Sequence, residues 1–325
     1  MNGFAAAAVP RTSRSLTAAM GAAIAAVALT AACSSGPQPE TSGIPGFEPT
    51  IQTYQLTPDD RFFAIDSNNV VVISRDPSLL GGIFLLLDDA QLPYRRYLQT
   101  LPPRTTVALV VEPGDSVKMD SLVRATSAPV TIYERVEVPR DNSGNPLPIA
   151  RFLVSSVRNK VARAWVLGTD SAAARALPDW VVAGVTQMIT GFPTSSARNS
   201  QIVSQLQDLI PLDSLTRMRI SESAVPSGVS SETAVGNQRR TDSRGRPIGT
   251  TPRRLPPEML AALQAASIIE FMWAREGRGI VKQLVDRTRR GEPLSSVIAQ
   301  AVSLPRDVAG LEAAWKASVT PPAKR

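Results

Sequence analysis

The chain contains no histidine. Without imidazole there is no His-ligated zinc, no Ser-His-Asp or Cys-His activation of a nucleophile, and no imidazole proton shuttle. A single cysteine, Cys33, excludes internal disulfide frameworks, Cys-rich zinc sites and iron–sulfur clusters built by this chain alone. Aromatic residues make up only 5%, so a core must rest on Ala, Val, Leu and Ile. Beyond residue 32 no apolar run is long enough to cross a hydrocarbon layer of ~30 Å. What is present, 43% apolar and 19% charged residues over 325 positions, has the balance of a globular protein. Its 27 prolines and 20 glycines divide it into structured blocks separated by loops.

Residues 1–32 carry Arg11 and Arg14 and no acid, then an apolar run ending near Ala32. At roughly 15 residues the run is short for a membrane span and fits the charged and hydrophobic regions of a secretory signal. It closes on Leu29-Thr30-Ala31-Ala32-Cys33. Small residues before a lone cysteine resemble a bacterial lipobox, with Thr30 where leucine is commoner. That resemblance implies cleavage before Cys33, acylation of its thiol and a protein tethered to the membrane in the cell envelope. With Ser34 after the cysteine, outer-membrane sorting is the expectation in a Gram-negative cell. Residues 33–58 are rich in Ser, Gly and Pro and read as a tether. The folded domain is expected over 59–320, followed by a tail at 321–325.

Within that domain, Phe62–Ile65 and Val70–Ser74 read as strands around the turn Asp66-Ser67-Asn68-Asn69. Asp76 and Pro77 open a helical pattern to Leu98 that Pro93 is expected to kink or break. Strands follow at Thr105–Val111 and Pro129–Val138, with a short helix between them at 115–125. Ile149, Phe152, Leu153, Val157, Val161, Ala164 and Trp165 then recur at helical spacing up to Gly168. Further helices are expected at 178–191, 195–209, 257–277, 279–290, 294–302 and 306–319. Strands first and helices second argue for an α+β fold: a small antiparallel sheet, then a mostly helical half.

Residues 221–255 show no periodicity and read as a flexible insertion. Between Gly236 and Leu255, Arg239, Arg240, Arg244, Arg246, Arg253 and Arg254 face only Asp242, a local net charge of +5. The whole chain carries +7, of which Arg11 and Arg14 supply two, so the mature chain carries +5 and is near neutral outside that stretch. Neither a basic helical face nor interleaved aromatics accompany the insertion, which excludes nucleic acid as a partner. A solvated loop is one reading; contact with acidic headgroups or an acidic envelope polymer is the other.

Leu177-Pro178-Asp179-Trp180-Val181-Val182-Ala183-Gly184, with Asn159-Lys160-Val161-Ala162-Arg163 upstream, resembles the gluzincin (peptidase MA-like) metallopeptidases. Ala265–Phe271, Arg289–Glu292, Leu304-Pro305 and Leu311–Trp315 resemble the later helices of that family, so the likeness covers roughly 60–320. It implies a zinc-binding H-E-x-x-H helix and a third, glutamate ligand in the next helix. Here the ligand slots hold Asn159, Arg163 and Ala183, and Lys160 replaces the general base. A neutral amide is a poor zinc ligand, and guanidinium has no lone pair to give. Trp180 and Gln187 would line the cleft. The resemblance therefore implies a catalytically inactive domain without cofactor, binding an envelope protein, peptide or acidic polymer. Asn159, Lys160 and Arg163 equally fit the polar face of an amphipathic helix.

A zinc-independent hydrolase is the alternative. Ser155 or Ser156 with Lys160, or Ser116 with Lys118, could form a Ser-Lys dyad, though neither lies in a recognisable motif. Asp88 and Asp89 are adjacent, so on a helix they diverge by about 100° and fit poorly as a carboxylate pair.

Overall fold

The computed structural model describes residues 50–57, 60–67, 69–136, 149–225, 240–241, 247–248 and 254–320. Cys33 and the leader lie outside these residues, as do Arg239, Arg244, Arg246 and Arg253. The fold is α+β: the described residues form a five-stranded sheet in the N-terminal part and 11 helices, most of them in the C-terminal part.

Three strands pair antiparallel: β1 (Thr50–Thr57), β2 (Asp60–Asp66) and β3 (Val70–Ser74). The β2–β3 turn is closed by Ser67 N donating to the Val70 carbonyl at 2.9 Å. The chain then runs through α1 (Leu80–Leu98), β4 (Thr105–Val110), α2 (Asp115–Ala125) and β5 (Val130–Arg135). β3, β4 and β5 are parallel neighbours, with Val72 opposite Val107. The sheet is thus mixed, and the antiparallel expectation holds only for β1–β3. Two helical crossovers separate β3, β4 and β5, which a count of strands before helices overlooks. β1 also corrects the tether boundary, since the chain pairs from Thr50 onwards.

Burial follows from those crossovers. All five residues of β3 are buried, as expected when helices cover both faces of a parallel pair. Val70 and Val72, with Val107 and Leu109, join Ile83, Phe84 and Leu87 of α1 in the main core. Val71, Ile73 and Ala108 turn to the opposite face and meet Met119 and Val123 of α2. Pro93 neither breaks nor ends α1, which continues to Leu98. Tyr94 and Leu98, just beyond the proline, are anchored in the main core, and that burial outweighs the lost backbone hydrogen bond.

The C-terminal half stacks on the α1 side of the sheet. Its members are α3 (Ile149–Leu167), α4 (Ser171–Ala176), α5 (Asp179–Thr190), α6 (Ser195–Ser204) and α7 (Leu212–Leu215). Past the insertion come α8 (Pro257–Glu276), α9 (Ile280–Arg289), α10 (Leu294–Ile298) and α11 (Val308–Val319). α5 is the central helix: every residue from Trp180 to Thr190 is buried. Gly184 permits this, because a Cβ there would lie 2.7 Å from Ile269 Cδ1 and 3.0 Å from the Ala265 backbone of α8. Among the described residues no helix is long and apolar enough to cross a membrane.

Candidate functional site

α3 and α5 pack against each other and bring together the two segments that the sequence singles out. α3 is held by its apolar stripe, Leu153, Val157, Val161 and Trp165. Trp165 donates from Nε1 to Thr105 Oγ1 at 2.8 Å and meets Tyr94 edge-on at 5.5 Å. At its C-terminus Gly168 adopts φ +78°, and Arg289 donates to the Val166 carbonyl at 2.8 Å. These contacts fix the rotation of α3 and leave Arg158, Asn159, Lys160 and Arg163 half-buried on its other face.

Each of those polar residues is engaged. Lys160 Nζ donates to Glu134 Oε2, while Ser156 Oγ donates to Glu134 Oε1 at 2.7 Å. Glu134 sits in β5 at 6% exposure, so a buried carboxylate is matched by a cation and a hydroxyl. Arg163 approaches Glu222 at 3.8 Å, and its Nη1 is buried with no hydrogen-bond partner among the described residues. Asn159 has a partner of its own. Arg158 packs near Asp89, and burial pulls its guanidinium below the ordinary value against the opposing pull of that carboxylate. Burial also pushes the Asp88 carboxyl up, with Asp89 adding like-charge repulsion.

On α5, Ala183 is 0% exposed and faces no open cleft. Trp180, at 1%, is core. Gln187 is fully buried, and neither its amide oxygen nor its nitrogen has a partner among the described residues. Gln264 of α8 shows the contrasting case: equally buried, it donates to the Ile210 carbonyl and accepts from Ile210 N at 3.1 Å.

The segment expected to begin the insertion belongs instead to the folded body. Ile220 N donates to Asp179 Oδ2 at 3.2 Å, and Ser221 donates to Glu258 Oε2 from its amide at 3.0 Å and its hydroxyl at 2.6 Å. Asp179 and Glu258 lie in the first turns of α5 and α8, so residues 220–221 are stapled across two helix starts. Val225 is 6% exposed. At the far end Arg254 pairs with Asp208 at 2.6 Å and Leu255 packs on the core. The flexible expectation for 221–255 therefore fails at both margins, because apolar anchors and ion pairs there offset the entropy of ordering. Between them only the antiparallel pair β6 (Arg240–Thr241) and β7 (Pro247–Ile248) is described. Of the six arginines of the insertion, Arg254 is thus compensated.

The donor set does not fit zinc. Lys160 and Arg163 are cations paired with carboxylates, and Ala183 presents a methyl group in a closed helix contact. Among the described residues no cluster of three or more His, Cys, Asp or Glu could hold a metal. The Ser-Lys alternative also changes form. Ser156 and Lys160 converge on Glu134, a residue that no spacing in the sequence marks, so the lysine Nζ is directed at that carboxylate rather than at the serine.

Elsewhere the surface carries a depression that sequence reasoning missed. Two hollows of about 250 and 210 Å³ share Ala176, Pro178 and Thr216 at the N-terminal end of α5. Trp180, Pro293 and Leu294 wall the first; Arg175, Arg217 and Arg219 line the second. Leu177, Pro178, Asp179 and Trp180 of its lining belong to the Leu177–Gly184 motif, but no periodicity or motif marks Arg175, Arg217 or Arg219, which lie on separate segments of the chain. No protein-family model, no curated protein and no solved structure matches the chain.

Proposed function

We propose that the protein is a lipid-anchored component of a bacterial cell envelope whose gluzincin-like body has no catalytic role and serves as a binding or scaffolding module. The observation that carries this reading is the state of the ligand slots. Lys160 and Arg163 are neutralised by Glu134 and Glu222, and Ala183 is sealed between helices. The order of helices around α3 and α5 is compatible with the family likeness. The anchor rests on Cys33 at the end of the apolar leader. Its partners are the membrane, through that anchor, and an envelope protein, peptide or acidic polymer, reached in part through the insertion that carries Arg239, Arg240, Arg244, Arg246 and Arg253.

Elemental analysis of the purified chain should find no stoichiometric zinc, and a general peptide library should remain uncleaved. Labelled fatty acid should be incorporated in the producing cell and lost in Cys33→Ala. Stoichiometric zinc with chelator-sensitive cleavage would overturn the inactive reading; labelling that survives Cys33→Ala would overturn the anchor. The shared hydrogen bonding of Ser156 and Lys160 to Glu134 supports a second reading, a zinc-independent hydrolase. In that case hydrolysis should resist chelators and disappear in Ser156→Ala.

A further inference from the structure

We propose that the depression at the N-terminal end of α5 is a phosphate-binding site. The inference does not rest on the family likeness or on the lipid anchor. Its first support is the set of cations. Arg175, Arg217 and Arg219 line one hollow of about 210 Å³, and all three are exposed. They are drawn from two places: Arg175 from α4, and Arg217 and Arg219 from the segment after α7.

Their hydrogen-bonding capacity is largely unspent. Each guanidinium carries five N–H donors. Arg175 uses Nε on the Ser171 carbonyl at 3.0 Å, and Arg219 has no partner among the described residues. Arg217 is 76% exposed and pairs at 2.9 Å with Asp213, itself 69% exposed. Such a solvent-screened pair exchanges readily for a better anion.

Of the acids nearby, Asp179 lines the same hollow and accepts from Ile220 N at 3.2 Å, which fixes its carboxylate beside the three arginines without removing its charge. In the adjoining hollow Glu292 accepts from Arg287 Nε at 2.6 Å and from Arg290 Nη2 at 3.0 Å, so two cations outside the lining neutralise it. The positive charge of the arginines therefore dominates. The start of α5 adds little to it, because Asp179 in the first turn already offsets the helix dipole.

Three guanidiniums suit a phosphate better than a carboxylate. A phosphate monoester offers three terminal oxygens and nearly two charges, whereas a carboxylate offers two oxygens and one charge. The adjoining hollow, walled by Pro178, Pro293 and Leu294, would take the uncharged part of the ester. Phosphate could come from a soluble phosphate ester or from a phospholipid headgroup; the recognition chemistry is shared.

The test is calorimetric titration of the full chain in non-ionic detergent micelles. The probes are inorganic phosphate, glycerol phosphate, and phosphatidic acid doped into the micelle. Saturable binding that weakens with salt is expected for at least one of them. Affinity should fall about tenfold in Arg219→Ala and about a hundredfold in the Arg175→Ala/Arg217→Ala/Arg219→Ala variant, as loss of charge-assisted contacts requires. Arg124→Ala, an exposed arginine of α2 outside the depression, should bind as the parent does. Binding of the soluble esters identifies a free ligand; binding of phosphatidic acid alone identifies a headgroup. No saturable binding, undiminished binding in the triple variant, or polyglutamate binding as tightly as phosphate would overturn the proposal. Thermal melting of each variant guards against misfolding, and Arg219→Glu supplies a second charge change should the triple variant unfold.

Discussion

Two ends of one neighbourhood invite comparison: the buried contact of α3 with α5, and the arginine-lined mouth where α5 begins. The first contains the features that stand out in the sequence, Trp180, Ala183, Gly184 and the polar run Asn159–Arg163. There Trp180 fills core, Gly184 lets α8 approach, and the cations of α3 are matched to carboxylates. The second sets beside the motif residues Pro178 and Asp179 three arginines that stand out nowhere in the sequence, and it concentrates positive charge in a concave surface. The difference teaches that close packing imprints repeating patterns on a sequence, whereas a site assembled from separate loops leaves none.

The largest effect should come from forcing chemistry into the closed contact. Ala183→Glu places an unpaired charge and extra volume in a fully buried position, and should cost more than about 3 kcal/mol in denaturant unfolding. Near-parental stability would show that the α3–α5 contact opens readily and would undo the contrast. Trp180→Ala should lose about 3–5 kcal/mol through the cavity it leaves.

Gln187→Leu tests the same interior in the opposite direction. Removing a buried amide with no partner should leave stability unchanged or raise it by about 1–2 kcal/mol. A loss of similar size would mean that the amide is well satisfied. At the mouth, Arg175→Ala and Arg219→Ala should each shift stability by less than about 0.5 kcal/mol, since both are exposed and neither closes a buried network. Equal sensitivity at both ends would erase the comparison.

The smallest effect concerns acid. Hydrogen bonds from the Val302 and Ser303 amides hold the Glu276 carboxyl below its ordinary value, and bonds from Arg287 and Arg290 do the same for Glu292. A carboxyl whose value is lowered on folding stabilises the protein above its unfolded value near 4.3, and that stabilisation fades as pH falls through the folded value. Thermal stability should therefore decline below about pH 4.5, and Glu276→Gln should flatten part of the decline.

Much of the helical scaffold was legible in the sequence because its signals are local. Asp76 accepts from Ser78 N just ahead of Pro77, and Gly168 and Gly191 end α3 and α5 at positive φ. The apolar spacing along α3 announced its buried stripe. β1 escaped notice because an edge strand rich in Thr and Gln lacks an apolar alternation. The continuity of α1 through Pro93 escaped for a different reason, namely that burial of Tyr94 and Leu98 overrides a local breaker. Of the expected site, the positions on α3 and α5 were legible but their partners were not: Glu134 lies 26 residues from Lys160, and Glu222 lies 59 from Arg163.

By itself the sequence determined the α+β class, the ends of the helices that close on Gly168 and Gly191, and the absence of histidine chemistry, all of which depend on composition or on neighbours within a few positions. The helices from Ser195 and Leu294 stop at Ser204 and Ile298, short of the expected 209 and 302. Only the tertiary structure decided that β3–β5 run parallel, that Ala183 is sealed, and that three arginines from two separate segments share one hollow. Those outcomes depend on which distant segments come to lie together. That is set by burying the apolar faces of many elements at once, a sum that no local stretch of sequence contains.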